Sequence, residues 1–275
     1  MGKIIQFIKK NPAFTVFFLL ALGVIGAAVF APVLAPRDPY EAVLSNAVQP
    51  PSAEHWFGTD RMGRDLFSRV IYGARTSLAA SFSLVAVIMA AGTILGILAG
   101  YFGKAVDAVI MRIADMMISF PGMVLAIAVA GILGANIKNA VIAIAIVSWT
   151  KYARLARSLV LKIKNLDYIA AARLTGSKTS KILWKYMLPN VLPTMLITGT
   201  TDIGSMMMEI AGLSFLGFGA QSPTAEWGLM LNEGRAYMTT APWLMVFPGA
   251  AIFITVVVFN LLGDSLRDVL DPRSE

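Results

Sequence analysis

Two acidic residues and a methionine lie together in one apolar stretch of this sequence. Asp202 and Glu209 are seven residues apart with Met206 between them. On a helix this spacing places the three side chains on one face, with the acids about 10 Å apart along the axis. A charge at the bilayer centre costs about 2.5–3.5 kcal/mol, so these candidate pathway residues should face a protein interior or a water-filled path. Carboxylates with a thioether could pass a borderline cation such as nickel. The alternative is that the acids bind neighbouring helices and the methionine only packs.

Few other side chains could carry out covalent chemistry. Cysteine is absent and His55 is the single histidine, so a histidine-ligated metal site or a Ser-His-Asp triad has almost no candidates. Asp60 with Asp65, and Asp264 with Asp268, lie next to arginines and have no companion histidine in the sequence. These groups indicate clusters of ion pairs rather than acid–base catalysis. We predict no catalytic residue, no metal site and no cofactor.

The elements that carry these residues are apolar segments. The chain has 275 residues, of which 57% are hydrophobic and 14% charged, whereas about a quarter of a soluble domain is charged. The apolar runs are continuous rather than alternating, which favours membrane helices over a barrel. In the second run, Gly92, Gly96 and Gly100 have the spacing of a close helix contact. We predict an all-α integral membrane protein with six transmembrane helices, at 13–35, 78–101, 116–133, 140–155, 191–216 and 243–262.

The segments divide the chain into three regions. Residues 1–35 form a tail and a first span, which we expect to stay uncleaved because its apolar run is longer than that of a signal peptide. Residues 36–77 form an extracytoplasmic loop. Residues 78–275 form the core domain, which holds the other five spans and a loop at about 160–190.

Basic residues are concentrated on one predicted side of the membrane. With the N-terminus inside, the inner segments hold most of the 23 lysines and arginines. The positive-inside rule therefore places both termini in the cytoplasm. The net charge of +7 is explained by topology, and no nucleic-acid partner is needed. These inner segments are 1–12, 102–115, 151–190 and 263–275.

The loop at about 160–190 contains two short predicted helices joined at a glycine. Asp167 is placed to cap the first helix, and Gly176 lies where a left-handed C-terminal residue is needed. The alanines at 170–172 leave a smooth surface, while Ile169 and Leu174 are expected to be apolar and partly exposed. Such a helix can dock in a groove of another protein. The alternative is a solvated loop attracted to anionic lipid.

This loop resembles the EAA loop of ATP-binding-cassette (ABC) importer permeases, in which a coupling helix contacts the ATPase subunit. The chain departs from the family pattern at Ala170, where the family has glutamate, and at Tyr186, where it has isoleucine. The resemblance implies an ATPase-coupling role for residues that match or flank the motif. They are Asp167, Ala171, Ala172, Gly176, Leu188 and Pro189.

Four further stretches resemble one branch of that family, the peptide/nickel group. Residues 55–69 contain GTD-x-x-GRD, which is similar to the C-type member of the two unlike permeases in this group. Residues 214–219, 223–228 and 259–272 resemble the same group. The residues at 202–204, with the methionines that follow, are most similar to nickel permeases.

The resemblance implies a permease subunit without an ATPase of its own, in a bacterial or archaeal cytoplasmic membrane. Its partners would be a second, different permease, two cytoplasmic ATP-binding subunits, an extracytoplasmic solute-binding protein and membrane lipid. The solute would be nickel or a metal chelate, with dipeptides or oligopeptides as the alternative. The rival of another class is an ion-coupled secondary transporter with Asp202 and Glu209 as a proton relay. A membrane hydrolase would need a catalytic constellation, and the sequence shows none.

Overall fold

The computed structural model describes residues 10–270. This part of the chain is nearly all helical and contains no β-strand, only an isolated bridge between Thr59 and Asp65. The predicted all-α class is therefore confirmed. Short 3₁₀ turns lie at Leu44–Asn46 and Arg235–Tyr237, and a π-helical turn lies at Leu183–Met187. The α-helices are α1 (Pro12–Val29), α2 (Ala31–Leu34), α3 (Leu66–Phe102), α4 (Lys104–Ile118), α5 (Gly122–Leu133), α6 (Ile137–Ile163), α7 (Asp167–Leu174), α8 (Thr179–Ile182), α9 (Leu188–Phe215), α10 (Trp227–Gly234) and α11 (Trp243–Leu270).

Three of these helices, α1, α3 and α11, are long and apolar enough to cross a membrane. Helices α4 and α5 make a fourth candidate if the bent pair counts as one span. Helices α6 and α9 have the length but are less apolar, and both carry charged residues. The count of six transmembrane helices therefore stays a prediction.

The third predicted span, at 116–133, is wrong as a single helix. Helix α4 ends at Ile118, α5 begins at Gly122, and their axes differ by 92°. Pro121 lies at the break. The chain bends there because proline has no N–H to donate within a helix and disfavours helical backbone in the residue before it. Helix α5 has 12 residues, or about 18 Å, which is too short to cross a bilayer alone.

The close contact of α3 with α6 confirms the role expected for the glycine repeat. A Cβ atom added to Gly92 would lie 2.5 Å from the Cβ of Tyr152, and one added to Gly96 would collide with the carbonyl oxygen of Ala153. Gly100 meets α6 in the same way further along. No side chain fits in these positions, so the two backbones approach closely and α6 is held in a fixed rotation.

The two ends of the helix bundle differ in structure. Helix α6 runs towards α7, and α9 runs away from it, so α7 and the C-terminal part of α11 lie at one end, named here the α7 end. The loop that precedes α3 and helix α10 lie at the opposite end, named the α10 end. Charged side chains are found at both ends and also between them, along α9.

Candidate functional site

Asp202 lies in the middle of α9 and is paired with α6. It is 4% exposed. The Nζ atom of Lys151 donates to both carboxylate oxygens, at 2.6 and 2.9 Å, and the hydroxyl of Tyr152 donates to Oδ2 at 2.9 Å. Three donors satisfy this buried carboxylate, as a charge in a protein interior requires. Asp202 therefore binds a neighbouring helix, which was the alternative to a role in a solute pathway.

The sequence did not identify Lys151 and Tyr152 as partners of Asp202. Lys151 was expected at the start of a basic inner loop, but it lies inside α6. A signal was present, since Lys151 is a basic residue in the fourth apolar segment and Asp202 an acidic one in the fifth. The side chain of Lys151 stays 58% exposed although its ammonium is held by the carboxylate.

A groove of about 420 Å³, named here the Glu209 groove, lies beside this pair. Asp202, Met206 and Glu209 all line it, as their predicted shared face requires. Glu209 is half-buried and accepts no hydrogen bond from any residue between 10 and 270. In the same part of the chain, no three His, Cys, Asp or Glu side chains come together to hold a metal ion. The groove therefore offers a solute one free carboxylate, one ammonium and the thioethers of Met117 and Met206.

A second groove, of about 470 Å³, opens towards the α7 end and is named here the Arg267 groove. Lys151 and Asp202 line this groove as well, and no other residue between 10 and 270 lines both. From Thr194 in the Arg267 groove to Glu209, α9 rises about 22 Å. The two grooves therefore follow one side of α9 in sequence, with the Lys151–Asp202 ion pair at their junction.

The local ion pairs expected near the end of α11 are not formed. Within residues 10–270, Arg267 makes no ion pair with Asp264 or Asp268. Asp264 and Arg267 instead line the Arg267 groove. The spacing along the helix predicted proximity, but exposed pairs of this kind gain little free energy and need not close.

The glycine turn after α7 is formed as predicted. Gly176 has a φ of +74°. Its N–H donates to the carbonyl of Arg173 and that of Ser177 donates to Ala172, both at 3.0 Å, which is a Schellman motif. The expectation that Asp167 caps this helix is wrong, because Leu166 occupies the N-cap position and Asp167 is the first helical residue. At this position its negative charge still interacts favourably with the positive end of the helix dipole.

Helix α7 presents one face away from the protein. Asp167, Ala170, Ala171 and Leu174 are exposed and have helical i, i+3, i+4, i+7 spacing, and Leu174 is 89% exposed. Ile169 was expected to be partly exposed, but it is fully buried. Its side chain anchors the opposite face of the helix in the core. Ala170 and Ala171 therefore form a surface that a partner could approach closely. Ala172 was expected on the same surface, but it is buried beside Ile169 on the opposite face of the helix.

In addition to the buried Ile169, a cation–π contact and the chain that follows α7 connect this helix to the rest of the bundle. The guanidinium of Arg173 lies over the ring of Tyr101 at the end of α3, 5.3 Å from the ring centre. Beyond α8 and the π-helical turn, Leu188 and Pro189 form the first turn of α9. Proline is tolerated there because the first turn needs no donor. Leu188 and Pro189 thus begin the same helix that carries Asp202.

Four buried charges, named here the Arg69 cluster, join the loop before α3 to α10. Arg64 lies 2.6 Å from Asp60 and 3.0 Å from Glu233, and Arg69 lies 3.3 and 3.6 Å from the same two carboxylates. An ion-pair cluster was predicted here for Asp60, Arg64 and Asp65. The structure confirms Asp60 and Arg64 and adds Arg69 and Glu233.

Asp65 has a different role from the one predicted. Its Oδ1 atom lies 2.9 Å from Nδ1 of the buried His55, and its Oδ2 accepts the N–H of Ser68 at 2.8 Å. The expectation that these acids have no companion histidine is therefore wrong for Asp65. The contact with Ser68 caps the N-terminus of α3, which is a structural function.

Glu226 caps α10 from a fully buried position. Its carboxylate accepts the N–H groups of Gly228 at 2.9 Å and Leu229 at 2.7 Å. Burial raises the pKa of Glu226 above the ordinary value, and these N–H groups oppose that shift only in part. The only sequence signal for this cap is an acid placed one residue before a helix.

Comparison with known proteins defines the class. Residues 92–275 match the family described as binding-protein-dependent transport system inner membrane component. This chain belongs to that family, and it is an ABC importer permease of the peptide/nickel group.

Its relatives serve different solutes. The dipeptide transport system permease protein DppC of Alkalihalophilus pseudofirmus is 45% identical, over 97% of this chain and 88% of that protein. The glutathione transport system permease protein GsiD of Pectobacterium atrosepticum is 46% identical, over 93% and 85%. The nickel transport system permease protein NikC of Escherichia coli K12 is 42% identical, over 86% of each. These identities are too close to one another to define the solute.

The fold is also found in a solved structure. Inward-facing MetNI, a methionine ABC transporter, matches 75% of this chain and 98% of its own, with a TM-score of 0.60 and 18% identity. At this identity the match shows the shared fold alone.

Proposed function

We propose that this chain is the permease subunit of an importer of short peptides. One observation carries the proposal: the Glu209 groove has an ammonium at one end, Lys151, and a free carboxylate at the other, Glu209. Asp202 does not add a second free carboxylate, because Lys151 already pairs with it. A peptide with a free carboxylate and a free ammonium complements these two ends.

The length of the groove supports a peptide of two or three residues. Asp202 and Glu209 are separated by about 10 Å along α9, and Lys151 lies at the level of Asp202. An extended chain covers at most about 3.3–3.6 Å per residue. The names of DppC and GsiD, dipeptide and glutathione permeases, agree with a solute of this size.

Nickel or a metal chelate is the second candidate. Met206 and Glu209 line the same groove and would offer a passing cation a thioether and a carboxylate. The name of NikC supports this candidate. The ammonium of Lys151 opposes it, because a bare cation would pass within reach of a positive charge.

Uptake by the complete complex in proteoliposomes separates the two candidates. The probes are a labelled dipeptide and radiolabelled nickel, each with and without ATP. We expect ATP-dependent dipeptide uptake that excess unlabelled nickel does not reduce. ATP-dependent uptake of nickel alone would support the second candidate, and uptake driven by a proton gradient without ATP would support a secondary transporter.

We also propose that the exposed face of α7 is the surface that an ATP-binding subunit contacts. Asp167, Ala170, Ala171 and Leu174 form a face with little side-chain bulk and one protruding apolar residue, which suits docking into a groove. Motion at α7 would pass through Leu188 and Pro189 into α9. The other partners proposed are a second, different permease and an extracytoplasmic solute-binding protein, with both termini of this chain in the cytoplasm.

Replacing Gly176 with valine tests the coupling surface. Gly176 and Gly134 both have positive φ values, +74° and +87°, with open space where a Cβ atom would lie. A β-branched residue is strained at either site, but only Gly176 ends α7. We expect Gly176→Val to lose co-purification with the ATP-binding subunits and Gly134→Val to keep it. Equal recovery and transport for the two variants would refute the role of α7.

A further inference from the structure

We propose that the Lys151–Asp202 ion pair is a carboxylate-selective gate, which separates the two grooves until a solute carboxylate competes for Lys151. This inference rests on the proposed peptide function for its solute. The position of the ion pair does not depend on that function, because the pair lies at the junction of the two grooves whatever the solute is.

The location of the pair is the first argument. Lys151 comes from α6 and Asp202 from α9, so their contact closes the space between two helices. Grooves of about 420 and 470 Å³ lie on either side, and within the described part of the chain their linings share these two residues and no other. A solute that moved along α9 from Glu209 towards Thr194 would have to pass this contact.

The unequal exposure of the two partners is the second argument. Asp202 is held on a buried backbone and keeps the hydroxyl of Tyr152 at 2.9 Å. Lys151 reaches it on a flexible stem whose side chain is 58% exposed. The ammonium can therefore swing away, while Asp202 stays in place. The mobile partner of the pair is the cation.

The hydrogen-bond capacity of the ammonium is the third argument. It has three donors, and Asp202 accepts two of them. A solute carboxylate can take the free donor and then a second one, while Asp202 keeps the rest together with Tyr152. An uncharged solute offers no replacement, so breaking the pair would leave Asp202 buried without its counter-ion. The gate would therefore open for solutes that carry a carboxylate.

Thiol accessibility in membrane vesicles tests the gate, since the chain contains no cysteine of its own. Thr198→Cys places a thiol in the Arg267 groove, and Ser205→Cys places one in the Glu209 groove. An impermeant thiol reagent is added from the α7 side of the complete complex. We expect Ser205→Cys to react about tenfold more slowly than Thr198→Cys, the ratio that one charge-assisted hydrogen bond supports.

Neutralising both partners removes the ion pair between the grooves and leaves no unpaired charge at Asp202. In the Lys151→Gln, Asp202→Asn double variant, the two thiols should react at rates within about threefold, since no charge-assisted bond remains. Lys151→Arg should keep the difference, and so should Lys138→Gln, an exposed lysine on the same helix. An unchanged ratio in the double variant would overturn the gate.

A measurement on the unaltered pair covers the case in which the double variant does not assemble. A dipeptide delivered with the binding protein and ATP should speed labelling of Ser205→Cys from the α7 side, and the C-terminal amide of the same dipeptide should not. Equal effects of the two probes would overturn carboxylate selection. If labelling depends on the pair but only nickel is taken up, the pair remains a barrier between the grooves, while carboxylate selection and the peptide function are both overturned.

Discussion

Two groups of charged side chains differ in burial and in charge balance, and the difference separates structural from functional electrostatics. The Arg69 cluster holds two acids and two arginines, each with a side chain at most 8% exposed. The cavity beside it measures about 10 Å³, room for no more than a water molecule. The grooves of about 420 and 470 Å³ are lined by two cations and three acids, an excess of one acid: Lys151, Arg267, Asp202, Glu209 and Asp264.

The comparison indicates what each group can do. In the Arg69 cluster, every charge is balanced and no ligand can enter, so its effect is to hold the loop before α3 against α10. In the grooves, Glu209 has no partner among residues 10–270 and the side chain of Lys151 is 58% exposed, so a solute can replace or add a contact. A charge-balanced cluster without room for a ligand stabilises the structure, whereas an excess charge beside an open groove can bind a solute.

The largest effect should come from Arg69→Met. Arg69 is fully buried and faces both carboxylates of its cluster. Its loss leaves two buried acids facing the single buried cation Arg64, and breaking a buried ion pair of this kind typically costs about 3–5 kcal/mol. Thermal unfolding of the detergent-purified complex measures the change. Arg61→Met is the matched control, because Arg61 pairs with the same Glu233 from a side chain that is 46% exposed and should lose about 1 kcal/mol or less.

A double substitution in the groove should affect transport rather than stability. We expect Asp202→Asn with Glu209→Gln to lower peptide uptake about tenfold or more, the size of a lost charge-assisted hydrogen bond. Assembly with the ATP-binding subunits should be retained, since no buried cation is left unpaired. Glu41→Gln, an exposed acid in the loop before α3, should change neither property. Normal uptake by the double variant would reject the pathway role.

Removal of the Tyr152 hydroxyl sharpens the comparison within the groove. Tyr152→Phe deletes one hydrogen bond to Asp202 and should cost about 1 kcal/mol of unfolding free energy. Tyr237→Phe is the control, because its hydroxyl has no partner among residues 10–270. If the two variants are equally stable, the hydroxyl does not hold Asp202 in place.

The smallest effect concerns pH and the cap of α10. Burial raises the pKa of Glu226, so the folded protein keeps a proton that the unfolded chain has already lost. Stability should therefore fall as the pH rises from the ordinary pKa of a glutamate through the raised pKa of Glu226. Glu226→Gln should flatten this part of the profile of melting temperature against pH. Glu54→Gln, at a 71% exposed side chain, should leave the slope unchanged.

Features that depend on a few neighbouring residues were predicted correctly. Gly176 follows from the need for a left-handed residue after α7, and its φ is +74°. The repeat Gly92, Gly96, Gly100 follows from the spacing that lets two helices touch. In both cases the backbone geometry is local, so the residue types carry the information.

Features that depend on distant partners were missed or wrong. The pairing of Lys151 with Asp202 was missed, and Ile169 was expected to be partly exposed, because neither the rotation of α6 nor the core beneath α7 is visible in a linear pattern. The break at Pro121 was underestimated because a hydropathy profile does not register a 92° bend. Each error concerns a tertiary contact or a change of helix direction, which consecutive residues do not specify.

The sequence by itself determined that this chain is a helical membrane protein of the importer permease family, since apolar content and short motifs are properties of consecutive residues. Only the tertiary structure decided which charges are neutralised. Lys151 and Asp202 are 51 positions apart in the chain, and packing of α6 against α3 and α9 brings them to 2.6 Å. A carboxylate is a ligand or a structural anchor according to its partner, and that partner is set by helix packing.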